Sequence, residues 1–239
     1  MKMKKAKLAF VIPAYNEEVS IGRTLKDIRK KFPGEKIFVV NDGSKDRTGQ
    51  IAKKEGAVVF SHLINRGLGA SLTTGIKGAL QMSDANVIIT FDADLQHEAN
   101  DVRHLIRPIM EGKADAVIGS RFLNEKDLEM MPLTKLVGNY FLTGITNFLS
   151  STIITDSQSG LRALSRKSAG KINIVSDKYA VSSEILHELE GNRLRVVEIP
   201  IKAIYDSRSS TKGTNIKSGI HIFLTLLAKK LGIMARYAK

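Results

Sequence analysis

Short apolar runs alternate with amphipathic segments through the first half of the chain. The apolar runs predict buried strands at Leu8–Pro13, Lys36–Val40, Ala57–Ser61, Val87–Phe91 and Ala116–Arg121. Between them, apolar residues recur at helical spacing. This spacing predicts helices at Ile21–Phe32, around Ile51, from Gly67 to about Met82 and at Asp101–Glu111. Such alternation predicts an α/β fold with a doubly wound, mainly parallel sheet.

The second half of the chain is less regular. An apolar stripe predicts a helix over Leu133–Leu149, and the low charge of its other side fits a core helix as well as an interfacial one. A helix around Val181–Leu189 and a strand over Leu194–Pro200 follow. The last residues mix apolar and basic side chains, which is typical of a helix lying on a membrane surface. Packing on the protein's own sheet or a dimer contact are the alternatives.

These patterns divide the chain into two parts. Residues 1–213 form the predicted α/β domain, and residues 214–239 form a basic amphipathic C-terminal helix. Lysine and arginine outnumber aspartate and glutamate by 37 to 24, a net charge of +13 that suits an anionic partner such as nucleic acid, a membrane surface or a phosphorylated substrate. Because tryptophan is absent and aromatic residues make up only 6%, the chain has little with which to stack on unpaired bases.

Polar side chains follow several of the predicted strands at the point where each strand ends. They are Glu17 after the first strand, Asp42 after the second, Asp92 and Asp94 after the fourth, and Arg121 after the fifth. Because the carboxyl ends of parallel strands meet at one edge of an open sheet, we expect these side chains to form one site.

Asp92, Asp94 and Gln96 form a run of alternating oxygen donors without any softer ligand. Oxygen donors suit Mg²⁺ or Mn²⁺, and Mg²⁺ is usually held by one or two carboxylates together with substrate phosphates. A solvated turn with two acids is the alternative for this run taken alone. The Gly67-Leu68-Gly69 segment lacks the third glycine of a dinucleotide-binding fingerprint, so it predicts only a tight turn that opens a helix.

Six motifs, all in order along the chain, carry a family resemblance. They are Val11-Ile12-Pro13-Ala14-Tyr15-Asn16-Glu17-Glu18, Asn41-Asp42-Gly43-Ser44-x-Asp46-x-Thr48, Asn65-Arg66-Gly67-Leu68-Gly69, Asp92-Ala93-Asp94-Leu95-Gln96-His97, Gly119-Ser120-Arg121 and Ser159-Gly160-Leu161-Arg162-Ala163. Together they resemble family 2 glycosyltransferases, most closely the dolichyl/polyprenyl-phosphate hexosyltransferase branch. The resemblance implies a GT-A fold of the nucleotide-diphospho-sugar transferase type, a nucleotide-sugar donor, a divalent metal (Mg²⁺ or Mn²⁺) and inversion at the anomeric carbon.

The resemblance also implies roles for single residues. The nucleotide-sugar would be bound by Pro13, Tyr15, Glu17, Asp42 (on the base) and Asp92. The metal would be held by Asp92, Asp94 and Gln96. The acceptor phosphate would face Arg121, with Lys135, Arg162 and Asp156 in the same region. Arg208 and Lys212 would close over the diphosphate, so the catalytic set is Asp94, Arg121, Arg208 and Lys212.

This sequence departs from the family pattern in four respects. Asn41 stands where many relatives have aspartate, and Lys135 stands where mannose synthases place a second arginine. Lysine cannot form the bidentate fork that arginine makes with a phosphate. The spacing from Arg208 to Lys212 is shorter than in mannose synthases, and the membrane-spanning helices of some relatives have no counterpart.

The type of acceptor decides whether the reaction needs a general base. A phosphomonoester has a second pKa of about 6 and is largely dianionic at pH 7, so basic residues to hold it are more useful than a base. A hydroxyl acceptor on a glycan or protein would need one, and Asp156 and Glu184 are then the candidates. His97, beside the acids, is interpreted as structural.

We therefore expect a metal-dependent transferase that moves a hexose from a nucleotide-sugar (GDP-mannose, UDP-glucose or UDP-N-acetylglucosamine) to a dolichyl or polyprenyl phosphate. We expect it to be cytoplasmic and peripheral on the cytosolic face of the membrane, with no nucleic-acid partner. A hydroxyl acceptor, a catalytically silent membrane-docking homologue and a basic nucleic-acid-binding protein are the alternatives.

Overall fold

The computed structural model describes residues 6–124, 128, 131–176 and 180–205. Arg208, Lys212 and the predicted helix at 214–239 lie outside the described residues, so their predicted roles and the division into two parts stay predictions. Within the described ranges, no helix combines the length and apolar character needed to cross a lipid bilayer.

Seven strands form one sheet. They are β1 (Leu8–Ala14), β2 (Lys36–Asp42), β3 (Val58–His62), β4 (Val87–Thr90), β5 (Ala116–Ser120), β6 (Arg162–Ser165) and β7 (Val196–Pro200). Their order across the sheet is β3-β2-β1-β4-β6-β5-β7. Every neighbouring pair is parallel except the two pairs that β6 makes, with β4 and with β5. The predicted mainly parallel sheet is confirmed.

Helices cover both faces of this sheet. They are α1 (Ile21–Lys31), α2 (Thr48–Lys54), α3 (Leu68–Met82), α4 (Val102–Leu105), α5 (Arg107–Met110), α6 (Leu133–Leu149), α7 (Arg166–Ala169) and α8 (Ala180–Gly191). The bounds of α6 match the sequence prediction at both ends. The helix predicted at Asp101–Glu111 is instead a 3₁₀ turn at Ala99–Asp101 followed by α4 and α5.

The core lies in two layers because successive side chains of a strand point to opposite faces. On one face, Phe10 and Ile12 of β1 join the core that includes Leu25 of α1. On the other face, Val11 packs in the layer that includes Ile76 of α3 and Ile185 of α8. Strands buried on both faces explain why the sequence shows continuous apolar runs instead of alternation.

Two features of the fold shape the site. The antiparallel strand β6 was not predicted, and it brings Arg162 beside Thr90 at the end of β4. The strand β4 ends at Thr90, one residue before the predicted end, so Asp92 and Asp94 lie on the loop that follows it, as expected. Leu95 in this loop has a φ of 68°, a left-handed conformation that is uncommon for a residue with a side chain.

Candidate active site

A cleft of about 650 Å³ opens along the edge where β1, β2, β4 and β5 end. Its walls include ten of the side chains predicted from the sequence: Pro13, Tyr15, Glu17, Asp42, Asp92, Asp94, Gln96, Arg121, Lys135 and Arg162. Arg162 belongs to this edge because β6 runs antiparallel, which puts its amino end where the other strands have their carboxyl ends. The expected convergence of distant motifs is therefore present in the structure.

Hydrogen bonds join the loop after β1 to the loop after β2. The Glu17 backbone N–H donates to Thr48 Oγ1 at 2.8 Å, and Asn16 N–H donates to Ser44 Oγ at 3.0 Å. Asp46 accepts from Thr48 N–H at 2.9 Å and from Glu18 N–H at 3.2 Å. Through these contacts, the first two motifs hold each other at the wall of the cleft.

Asp42 fixes the loop that opens α3. Its buried carboxylate accepts hydrogen bonds from the backbone N–H groups of Arg66 at 2.9 Å and Gly67 at 2.8 Å, and it contacts His62 Nδ1 at 2.6 Å. The other ring nitrogen of His62 contacts Thr74 Oγ1 at 3.0 Å. The structure gives Asp42 a positioning role, whereas the predicted contact with a nucleotide base stays a prediction.

Asp92 and Asp94 have opposite electrostatic surroundings. Burial disfavours the charged form of Asp92, but a 3.0 Å hydrogen bond from His97 Nε2 and the charges of His97, Arg162 and Arg121 outweigh it and lower its pKa. Burial and the negative charge of Asp92 raise the pKa of Asp94. The charge of Asp92 is therefore balanced by the protein, whereas that of Asp94 is not.

The residues present fit a divalent cation at Asp94. Its two oxygens accept only from Gln96 among the described residues, from the backbone N–H at 3.1 Å and from the side-chain Nε2 at 2.7 Å. No cationic side chain of the described chain bonds it. The Gln96 amide oxygen could serve as a further metal ligand. No group of three or more acidic or histidine side chains in the described ranges could hold a metal alone. A cation here would therefore need oxygens from a bound phosphate, as Mg²⁺ usually does.

The basic side of the cleft is built on a buried ion pair. Arg121 Nε donates to Asp156 Oδ2 at 2.7 Å and its Nη2 donates to Oδ1 at 2.8 Å. Burial disfavours the charged guanidinium, but the charge and hydrogen bonds of Asp156 dominate and raise the pKa of Arg121. Arg121 is thus a permanent cation that is held in one orientation at the cleft wall.

Asp156 does not lie where the sequence analysis placed it. Its carboxylate is fully buried behind Arg121 and is absent from the walls of the cleft, so it cannot touch an acceptor directly. Besides Arg121, it accepts a hydrogen bond from Gln158 N–H at 3.2 Å, and its own backbone N–H donates to Glu198 at 3.0 Å. The same arrangement removes Asp156 as a general base.

Arg162 supplies a second buried cation. Its Nη2 donates to Ser182 Oγ at 2.8 Å, and burial lowers its pKa to about 10 against the opposing charges of Asp92 and Asp156. It is therefore charged at neutral pH. Lys135 completes this side from α6, with its Nζ 5.7 Å from the ring centroid of Tyr205.

Glu184 is not in the cleft, where a base for a hydroxyl acceptor would have to lie. It is fully buried and lies outside the cleft, and its carboxylate accepts from Ser176 N–H at 2.7 Å and Val175 N–H at 3.1 Å. Its position ties the 174–176 segment to α8.

Polar residues that line the cleft but were not assigned to the site from the sequence include Ser71, Asn139, Gln158 and Ser182. Ser71 Oγ is buried and has no hydrogen-bond partner among the residues that the structure describes. The sequence pattern could have indicated Asn139 as a site residue, because it is an amide on the face of α6 that is otherwise apolar or hydroxylated. Ser71 and Ser182 offered no such signal, since serine is common in helices.

Comparison with known proteins decides the family. The family model described as glycosyl transferase family 2 matches residues 9–172, which is more than half of the chain. The chain belongs to glycosyl transferase family 2. It is therefore a glycosyltransferase, and the resemblance carried by the six motifs is confirmed.

Two similar proteins come from methanogenic archaea. An uncharacterized protein of Methanocaldococcus jannaschii is 45% identical over 96% of this chain and 95% of its own length. A protein of Methanococcus voltae, named UDP-N-acetylglucosamine–dolichyl-phosphate N-acetylglucosaminyltransferase, is 38% identical over 93% of this chain and 95% of its own length. Both alignments extend over nearly the whole of each chain.

A solved structure supports the fold. Glucosyl-3-phosphoglycerate synthase from Mycobacterium tuberculosis, in complex with Mn²⁺, uridine diphosphate and glucosyl-3-phosphoglycerate, superposes with a TM-score of 0.68 at 18% identity. The likeness covers 95% of this chain and 81% of that one. It confirms the GT-A-like α/β fold.

Proposed function

We propose that this glycosyltransferase moves a hexose or an N-acetylhexosamine from a nucleotide-sugar to the phosphate of a dolichyl or other polyprenyl lipid. The observation that carries the proposal is the Arg121–Asp156 ion pair. A transferase acting on a hydroxyl needs a base beside the acceptor. Here Asp156, one of the two candidate bases from the sequence, is buried behind a guanidinium, and the group that faces the cleft at that place is a cation.

Both acidic and basic side chains line the cleft. Glu17, Asp92 and Asp94 line the same cleft as Arg121, Lys135 and Arg162. The basic residues suit a dianionic lipid phosphate, because arginine and lysine hold phosphate oxygens through charge-assisted hydrogen bonds. The relative from Methanococcus voltae is named for transfer to dolichyl phosphate, which supports the same acceptor.

The reaction then needs orientation more than proton transfer. An oxygen of the lipid phosphate forms the new bond to the anomeric carbon, and the nucleoside diphosphate leaves with the bonding electron pair, which inverts that carbon. Arg121, fixed by Asp156, aims the phosphate at the sugar. Tyr15, Glu17 and Asp42 line the part of the cleft that we assign to the nucleotide.

Asp94 and Gln96, with Asp92 beside them, would hold Mg²⁺ or Mn²⁺. When bound, the ion supplies positive charge against the departing diphosphate. The Mn²⁺ in the mycobacterial synthase complex supports this assignment. Arg208 and Lys212, outside the described residues, are proposed to add positive charge at the same place.

We further propose that the enzyme works on the cytosolic face of a membrane as a peripheral protein. Nucleotide-sugars are soluble, whereas a polyprenyl chain is confined to the bilayer, so the two substrates meet only at the membrane surface. The net charge of +13 suits an anionic membrane surface.

A donor panel tests the proposal. GDP-mannose, UDP-glucose and UDP-N-acetylglucosamine, each with labelled sugar, are incubated with the full chain, Mn²⁺ or Mg²⁺, and either dolichyl phosphate or dolichol. We expect one donor to label the lipid phosphate and no donor to label dolichol, which differs only by the phosphate. Transfer to dolichol or to a glycan hydroxyl, with none to dolichyl phosphate, would contradict the proposal.

A further inference from the structure

Helix α6 exposes a row of large apolar side chains. Leu133, Val137, Tyr140, Phe141 and Phe148 are each at least half exposed, from 50% for Phe141 to 78% for Phe148. Scattered exposed apolar residues are normal on protein surfaces, whereas a contiguous group usually marks an interaction site.

These residues form one face of the helix. At about 100° per residue, the five side chains fall within an arc of about 100° around the axis of α6. The opposite side carries the buried residues Asn139, Leu142, Thr143, Thr146 and Leu149. Helix α6 is therefore packed on the protein along one side and apolar toward solvent along the other, so the core interpretation holds for one side and the interfacial one stays open for the other.

The charge around this face is unusual for this protein. From Met131 to Thr155 the sequence contains no acidic residue, and Lys135 is the one charged side chain. A solvated helix face would carry several charges. A neutral, partly aromatic face, with the lysine on the opposite side of the helix, is typical of a helix that lies on a membrane.

The cleft lies along the other side of the same helix. Lys135 and Asn139, which are on that side, line the cleft. At the edge of the exposed face, the Tyr140 ring contacts Phe122, the residue after Arg121, with 4.7 Å between ring centroids. A surface that touched the exposed face of α6 would thus lie about one helix diameter, roughly 10 Å, from the basic end of the cleft.

We propose that the exposed face of α6 lies flat on a lipid bilayer and sets the basic end of the cleft at the level of the lipid phosphates. This inference rests on the proposed function, because the polyprenyl phosphate acceptor supplies the reason for a bilayer at this position. The row from Leu133 to Phe148 is about 22 Å long. A bilayer can contact such a row along its whole length, and the polyprenyl chain of the acceptor lies in that bilayer.

Single labelled positions test the contact. The chain contains no cysteine, so Val137→Cys and Phe148→Cys each create one site for an environment-sensitive dye. Met82→Cys is the matched control, because Met82 is an exposed apolar residue (48%) at the other end of a helix that starts at the cleft. With vesicles of equal parts phosphatidylcholine and phosphatidylglycerol, we expect a blue shift and quenching by brominated lipid at 137 and 148, and neither at 82.

Three results would overturn the inference. If the protein binds vesicles without a blue shift at 137 and 148, another surface makes the contact. If the shift occurs without vesicles and grows with protein concentration, a second copy covers the face. If it occurs without vesicles at every concentration, another segment of the same chain covers it.

A combined variant links the contact to catalysis. The triple variant Val137→Gln/Phe141→Gln/Phe148→Gln introduces a residue with good helix propensity at each position and removes apolar surface outside the cleft. We expect transfer to polyprenyl phosphate in vesicles to fall about tenfold, with transfer to a short water-soluble isoprenyl phosphate unchanged. Equal loss with both acceptors would overturn the inference. If the wild-type enzyme uses neither acceptor, the proposed function fails, while the fluorescence result still decides the docking.

Discussion

Gly160 packs directly against the carboxylate of Asp92. A Cβ atom built on Gly160 would come within 2.0 Å of Asp92 Oδ2 and 2.2 Å of Oδ1. Thr90 Oγ1 donates to the Gly160 carbonyl at 2.7 Å and holds the two segments together. Glycine is therefore required here by close approach, and the Ser159-Gly160-Leu161-Arg162 motif is one wall of the acidic site.

We expect Gly160→Ala to displace the Asp92 carboxylate. The variant should fold, because the clash is with a side chain, but transfer should fall by at least about 100-fold since a small misplacement at the reacting centre has that cost. Gly191→Ala is the control, because no atom of the described part of the chain lies within 4 Å of a Cβ there. Steady-state rates and melting temperatures of both variants check this. Wild-type rates in Gly160→Ala would show that the position of Asp92 does not matter.

Asp156→Asn should destabilise the protein. The substitution leaves the buried guanidinium of Arg121 without its counter-ion, and breaking a buried pair in this way costs about 3–5 kcal/mol. Denaturant unfolding at pH 7 measures the loss. Asp115→Asn, whose partner Arg195 is largely exposed, is the control and should have a much smaller effect.

The same pair predicts a pH dependence. Burial disfavours the charged form of Asp156, but the charge and hydrogen bonds of Arg121 dominate and lower its pKa in the folded state. The stabilisation is then fully present above the unfolded pKa of about 3.9, and it is lost as the pH falls through the lower folded value. The stability difference between wild type and Asp156→Asn should be constant from pH 7 to 5 and shrink only below pH 4. A difference that shrinks between pH 7 and 5 would contradict this.

Glu184→Gln separates a structural role from a catalytic one. Glutamine keeps one acceptor oxygen and turns an amide N–H₂ toward the N–H groups of Val175 and Ser176. We expect the free energy of unfolding to fall by about 1–3 kcal/mol and the pH profile of kcat to keep its shape. Glu188→Gln, on the same helix and partly exposed, is the control. An intact fold with a rate loss of 100-fold or more would identify Glu184 as a general base.

The sequence predicted the parts of the fold that depend on local pattern. Continuous apolar runs located all the parallel strands, and the strand ends indicated which acids and bases would meet. The strand β6 was not predicted because Arg162–Ser165 is only four residues long and carries a charged and a hydroxyl side chain at its ends. Its pairing depends on β4 and β5, which are distant in sequence.

The sequence could not assign the roles of the acids. Asp42, Asp156 and Glu184 are each followed or preceded by polar residues, as a cleft acid would be. The hydrogen-bond partners of each carboxylate determine its role. They are the backbone of the loop before α3 for Asp42, the Arg121 side chain for Asp156, and the backbone of the 174–176 segment for Glu184. Such contacts join residues far apart in the chain, so burial and hydrogen bonding had to come from the structure.

The proposed reaction depends on Asp94 as a ligand of a divalent cation in the sugar-transfer site. The most direct measurement is the rate of sugar transfer to dolichyl phosphate against Mn²⁺ concentration, for wild type, Asp94→Asn and the surface control Asp84→Asn. We expect chelation to abolish transfer, Mn²⁺ to restore it in wild type and Asp84→Asn, and Asp94→Asn to remain at least about 100-fold slower. Wild-type turnover by Asp94→Asn in the presence of chelator would contradict the account.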